Sequence, residues 1–198
     1  KKINKIPIIQ KLIIELQKTP HIKKILVSSP DQEILKNVNK KFKNKVIIHK
    51  REAKFARLNT SINETLISSI KKVKTKKFRP DLILVVNVVC PFLNHQNFES
   101  AINLIKIFNT DEVIAVKKEN DNFYYHNGKG LKSFQNNNNL SLEREEVFRE
   151  IGGMHLIKTQ RIGKKNNTIG HIFLNDKSSF KIKSNEDIVL ADILSKIN

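Results

Sequence analysis

Apolar positions along this chain follow two periods, and their alternation predicts an α/β protein. Ile8, Ile9, Leu12, Ile13 and Leu16 recur at i, i+3, i+4 spacing, which predicts a helix that opens at Pro7 and stops before Pro20. Residues 22–28 (IKKILVS) read as a strand, and Ser29-Pro30-Asp31 as a turn that caps a helix over 32–42. A short strand over 46–49 leads into the charged loop 50–57. A helix over 59–70 follows, with Ile62, Leu66, Ile67 and Ile70 on one face. Residues 81–93, DLILVVNVVCPFL, are almost continuously apolar. That is the signature of a strand covered on both faces, in the middle of a parallel sheet, and Pro91 ends it. A helix over 97–108 turns Phe98, Ala101, Ile102, Ile105 and Phe108 inward, and 112–117 is the next strand. The order α, β, α, β, α, β, α, β predicts a doubly wound, mostly parallel sheet.

After residue 120 the rhythm changes. Tyr124 to Gly128 predicts a hairpin excursion with an Asn-Gly turn, and Asn136 to Asn139 a loop tip without packing power. Residues 143–150 (EREEVFRE) read as a short charged helix broken by Gly152-Gly153. Strands are predicted over 154–157, 169–174 and 179–183, and a closing helix over 187–197 has Ile188, Ala191, Ile193 and Leu194 apolar. No repeat or linker divides the sequence, so residues 1–198 are expected to form a single domain.

Composition narrows the classes. One cysteine among 198 residues excludes disulfide stapling and points to the reducing cytoplasm. No apolar run reaches the ~18 residues a membrane helix needs. The formal charge of +18 is spread along the chain, with a local cluster at residues 71–79. Without a helix-turn-helix, zinc-ligand or base-stacking motif, this reads as a solvated basic surface; polyanion binding is the second reading. Ligands of open α/β sheets sit beyond the carboxyl ends of the strands, which singles out Asn87 and the turn Cys90-Pro91. Asn87 has two readings, a ligand-facing amide or a group that satisfies neighbouring backbone. Cys90 has no histidine paired with it in local sequence and reads as a small packed residue. His126 reads as an exposed hairpin residue, and His155 and His171 as core or edge residues of strands.

Several stretches, in order, resemble one family. Ile3-Asn4-Lys5-Ile6-Pro7-Ile8-Ile9 is similar to L-N-G-K-P-L-I, and Val27-Ser28-Ser29-Pro30-Asp31-Gln32-Glu33-Ile34 to V-S-T-D-x-E-E-I. Arg51 stands where that family has an Arg-Pro pair. Val86 to Leu93 resembles L-Q-P-T-S-P-L-R, Phe148 to Gly153 resembles Y-R-E-N-G-A, and Ser179 to Lys183 with Asp187 and Ala191 resembles S-I-D-I-D…D…A-E. These are motifs of the acylneuraminate cytidylyltransferases, the CMP-sugar synthetases. The resemblance implies a Rossmann-like nucleotidyltransferase fold that joins CTP to a nonulosonic acid and releases pyrophosphate. It also implies a homodimer, with the partner packing near Tyr124 to Gly130. The family's first strand and phosphate-binding loop align upstream of Lys1.

By the same resemblance, Arg51, Asn87, Cys90 and Pro91 fall on the nucleotide side, and Arg144, Ile151 and Gly152 on the sugar side. Mg2+ is the cofactor implied, but both metal-carboxylate positions are lysines, Lys181 and Lys183. Residues two apart on a strand face the same way, so two lysines there would repel the ion. Two readings follow: they act as point charges against phosphate in place of the metal, or they are merely solvated on a decayed site. The functions to weigh are therefore a cytidylyltransferase, a nucleotide-binding module on the same scaffold, and a basic nucleic-acid-binding protein.

Overall fold

The structure, a computed structural model, describes residues 1–52, 62–73, 78–134 and 146–197. Its elements in order are β1 (Lys2–Ile3), β2 (Ile6–Pro7), α1 (Ile8–Lys18), β3 (Leu26–Ser29), α2 (Gln32–Phe42), β4 (Ile47–Lys50), α3 (Ile62–Val73) and β5 (Leu82–Val86). Then come α4 (His95–Phe108), β6 (Glu112–Glu119), β7 (Tyr124–His126), β8 (Leu131–Ser133), β9 (Val147–Lys158), β10 (Ile169–Phe173) and α5 (Glu186–Leu194).

A four-stranded ladder in the order β10-β6-β9-β5 carries the larger core. β10 is parallel to β6, and β9 runs antiparallel to both β6 and β5. Three of the four strands thus point one way, and their carboxyl ends lie at one edge. β3 and β4 form a separate parallel pair. Helix α1 joins the two parts: Ile8 and Leu12 pack into the larger core with Phe98, Ala101, Ile102 and Ile105 of α4, while Ile13 packs with Val27, Leu35 and Val38 in the smaller one. Each large aliphatic group so buried contributes about 2 kcal/mol.

Local chemistry explains where the helices begin and end. The Asp31 carboxylate accepts the Glu33 and Ile34 amides at 2.8 and 3.2 Å, starting α2 where the sequence placed it. Asn94 and Asn97 exchange side-chain and backbone hydrogen bonds across the first turn of α4. Asn109, at φ +52°, stops that helix in the left-handed conformation asparagine tolerates.

Three expectations need correction. β5 is the outer strand of its ladder and not an interior one; among the described residues nothing pairs with its second edge, and all five of its residues are half-buried. Residues 147–150, read as the end of a charged helix, are strand: Val147 to Glu150 pair with Glu119 to Val116, and β9 runs on through Gly152-Gly153. Cross-strand pairing of Arg149 with Glu119 uses the charges that suggested a helix. Residues 179–183 form no strand; Ser179 and Phe180 N–H close local turns onto Asn175 and Lys177 C=O, and Ile182 N–H donates to Val89 C=O at 2.8 Å. The other predicted elements are present within a few residues, and the hairpin forms as β7 and β8. The Asn136–Asn139 tip lies outside the described residues.

Candidate functional site at the carboxyl end of β5

At the end of β5 the chain turns sharply. Asn87 N–H donates to Gly153 C=O at 2.8 Å, and Cys90 N–H closes the turn onto Asn87 C=O at 3.2 Å. The Asn87 side-chain oxygen accepts the Val89 amide at 3.2 Å, while its exposed NH2 group has no partner among the described residues. The backbone-satisfying reading of this residue is seen directly: the oxygen stabilises the turn, and the residue is exposed.

Cys90 and Pro91 are buried beneath that turn. The Cys90 thiol has no exposed surface, and burial raises its pKa, with the Lys181 charge opposing weakly. It is a packing group and neither a contact for a nucleotide nor a nucleophile. Gly153 is required beside it: a Cβ there would stand 2.6 Å from the Cys90 sulfur. Ile151 is also fully enclosed in the core, so its side chain offers nothing to a sugar. Gly152 is exposed at φ +64° with open space around it, so glycine is needed there for its backbone angle.

The segment after β10 lies across this turn. Ile182 points into the core, and Lys181 and Lys183 alternate outward, so the expected common facing of the two lysines survives without a strand. Lys181 lies close enough to Cys90 to act on its ionisation. At Lys183 the backbone N–H donates to Asp187 Oδ2 at 2.7 Å, and Ser184 N–H to the same oxygen at 2.8 Å. Those two bonds, more than the Lys183 charge, hold the Asp187 carboxyl below its ordinary pKa.

The donor set does not fit Mg2+. Ammonium groups occupy the outward positions, and the nearby carboxylate, Asp187, is committed to backbone amides at the start of α5. Among the described residues no three His, Cys, Asp or Glu side chains converge as a metal nest.

Arg51 belongs to the other sheet, just past β4, where its backbone N–H donates to Ser29 C=O at 3.0 Å. Its Nε is buried and has no hydrogen-bond partner among the described residues, a donor of the kind an anionic or carbonyl ligand satisfies. Asn87, Gly152 and Lys181 thus meet around one turn, Arg51 stands on the neighbouring strand pair, and Arg144 lies outside the described residues. Two hollows lie elsewhere, between α1 and α2: about 510 Å3 beside Lys2, Gln10 and Lys41, and about 450 Å3 beside Ile14 and Lys43. They are shallow and carry no converging buried polar groups.

Sequence reasoning missed His49. It is buried between β3, β4 and α3, with Nδ1 3.3 Å from both Ser28 Oγ and Ser69 Oγ. Its polar partners are 21 and 20 residues away in the chain, so no local pattern announced them.

No family model matches the sequence, and no curated protein matches it. Solved structures do. A 4-diphosphocytidyl-2C-methyl-D-erythritol synthase from Anaerococcus prevotii superposes with a TM-score of 0.73 at 12% identity, over 98% of this chain and 91% of that one. A CMP:2-keto-3-deoxy-manno-octonic acid synthetase in complex with CTP gives 0.68 at 10%, over 99% and 90%. The 2-C-methyl-D-erythritol 4-phosphate cytidylyltransferase of Thermus thermophilus gives 0.57 at 12%, over 99% and 92%. At these identities the likeness establishes the architecture alone: the chain shares the Rossmann-like α/β fold of these solved structures.

Proposed function

We propose that this protein is a cytidylyltransferase that binds CTP at the carboxyl end of β5 and transfers CMP to an acidic sugar of the nonulosonic class, releasing pyrophosphate. The observation that carries the reading is the Asn87 NH2 group, exposed on the turn after β5 and without a partner among the described residues, in a fold shared along almost its whole length with a diphosphocytidyl-methylerythritol synthase and with a synthetase solved in complex with CTP. The buried Arg51 Nε is a second donor without a partner among the described residues. Lys181 and Lys183 bring positive charge to the same edge and would stand against the phosphates as point charges. The dimer belongs to this proposal, with hairpin β7–β8 as the contact.

Pyrophosphate release from CTP, followed with a panel of nonulosonic acids with and without Mg2+, tests the reaction. Release without Mg2+ that is lost in a Lys181→Ala/Lys183→Ala double variant supports lysine neutralisation. Magnesium-dependent release overturns that part and leaves the transferase reading intact.

One observation favours a second reading. Because Asp187 is committed to backbone and lysines hold the neighbouring positions, the same site would bind CTP without turning it over. Calorimetric CTP binding, weakened about fivefold by Asn87→Ala (one hydrogen bond) with no pyrophosphate formed, would identify a binding module.

A further inference from the structure

Beyond the turn, Phe92 is the centre of a second cationic group. Lys11 Nζ, from α1, lies 5.6 Å from the Phe92 ring centroid, and Lys177 Nζ, from the segment after β10, lies 5.8 Å from it. Phe180 closes another side of the ring edge-on at 6.1 Å. Both lysines are half-buried. Lys177 also donates to the Ile197 carbonyl. Lys11 has no hydrogen bond or ion pair among the described residues. The carboxylate whose charge acts on Lys11 is Asp192, which already accepts the Asn4 amide at 2.7 Å. Asp176, next to Lys177, is paired with Lys117 at 2.7 Å.

Two ammonium groups drawn to one aromatic ring, one of them half-buried and unpaired, are a costly arrangement in the free protein. Loss of solvent around Lys11 and the Lys177 charge beside it both lower the Lys11 pKa, against the pull of Asp192. An anion between them would remove the repulsion and supply the missing hydrogen-bond acceptor. Lysine acts on phosphate as a point charge, without the planar fork that arginine offers a carboxylate.

We propose that Lys11 and Lys177, set against Phe92, form an anion site that takes a phosphate or diphosphate group. This does not rest on CTP being the substrate, since neither lysine belongs to the turn site described above.

The test is thermal unfolding of the full protein at fixed ionic strength, with pyrophosphate and then inorganic phosphate as probes. Pyrophosphate at about ten times its dissociation constant should raise Tm by about 3–5 °C. Lys11→Met should leave Tm in plain buffer unchanged or higher, because a repulsion is removed, and should abolish the pyrophosphate shift. Lys11→Arg should keep most of the shift, and Lys177→Met should lose it. Lys36→Met, an exposed lysine on α2, is the charge-matched control and should behave as wild type. An equal shift in wild type and Lys11→Met, or no shift in wild type, overturns the proposal.

Discussion

A β-carbon at position 153 would stand 2.6 Å from the Cys90 sulfur and 2.9 Å from its β-carbon. Gly153→Ala therefore overpacks the turn that carries Asn87, and should cost about 1–3 kcal/mol in urea unfolding. Because the nearest clash is with the sulfur, Cys90→Ala should recover part of that loss. A double-mutant cycle with no coupling between the two sites would show that the contact is not the cause. Position 5 offers the opposite sign. Asn4 and Lys5 form the two-residue turn between β1 and β2 with φ of +48° and +64°. Asparagine tolerates this conformation and lysine does not, at a cost of roughly 1–2 kcal/mol. Lys5→Gly should stabilise the protein by about 0.5–1 kcal/mol once the greater freedom of the unfolded chain is subtracted. A lower urea midpoint would mean that Lys5 makes a compensating contact.

His49 of β4 is buried, and its Nδ1 stands 3.3 Å from Ser28 Oγ of β3 and Ser69 Oγ of α3. Burial lowers its pKa first, and the Lys72 and Arg51 charges add to this. The folded state therefore binds the proton less readily than the unfolded chain. Stability is complete above the ordinary histidine value of 6.5 and falls as the pH drops below it toward the folded pKa. Urea unfolding at pH 7.5, 6.5 and 5.5 should show this decline in wild type and a flatter profile in His49→Gln. Equal slopes would place the acid sensitivity elsewhere. None of this was legible in the sequence, because the contacts join three elements. Helix α2 was legible almost to the residue, since Asp31 caps it locally and its apolar face follows one period. The first part of β9 was missed for the converse reason: EREEVFRE favours a helix locally, and only its pairing with β6 makes Val147 to Glu150 a strand. At residues 179–183 the alternation gave the facing of Phe180, Ile182 and the lysines, but alternation alone cannot supply a ladder partner. The apolar run of β5 was read as an interior strand covered on both faces; its residues are half-buried, and among the described residues nothing pairs with its second edge. Of the candidate site, the turn that ends β5 was readable from Pro91. The burial of Cys90 and Ile151 depended on the antiparallel passage of β9 beside β5.

For the whole molecule, hairpin β7–β8 sets hydrophobic association against charge. Tyr124, Tyr125, Leu131 and Phe134 are all exposed, Leu131 to 74%. A two-stranded hairpin without cover is marginal in water, so the proposed dimer contact would supply what the protomer lacks. Each copy, however, carries a formal charge of +18, and bringing two together costs repulsion that salt screens. If the hairpin is the contact, self-association should strengthen as salt rises from about 20 to about 300 mM, a range that shortens the screening length severalfold. Sedimentation across that range should show the dimer gaining, and Tyr125→Ser/Leu131→Ser should leave a monomer of unchanged helix content at every salt. The basic surface acting on nucleic acid predicts the reverse, because counterion release makes that binding collapse over the same range. Assembly that weakens with salt, or survives the hairpin variant, would remove the hairpin from the dimer. It would leave the exposed aromatic groups of the sheet, Phe148, His171 and Phe173, stacked within 5.6 Å of one another, as the surface to test next.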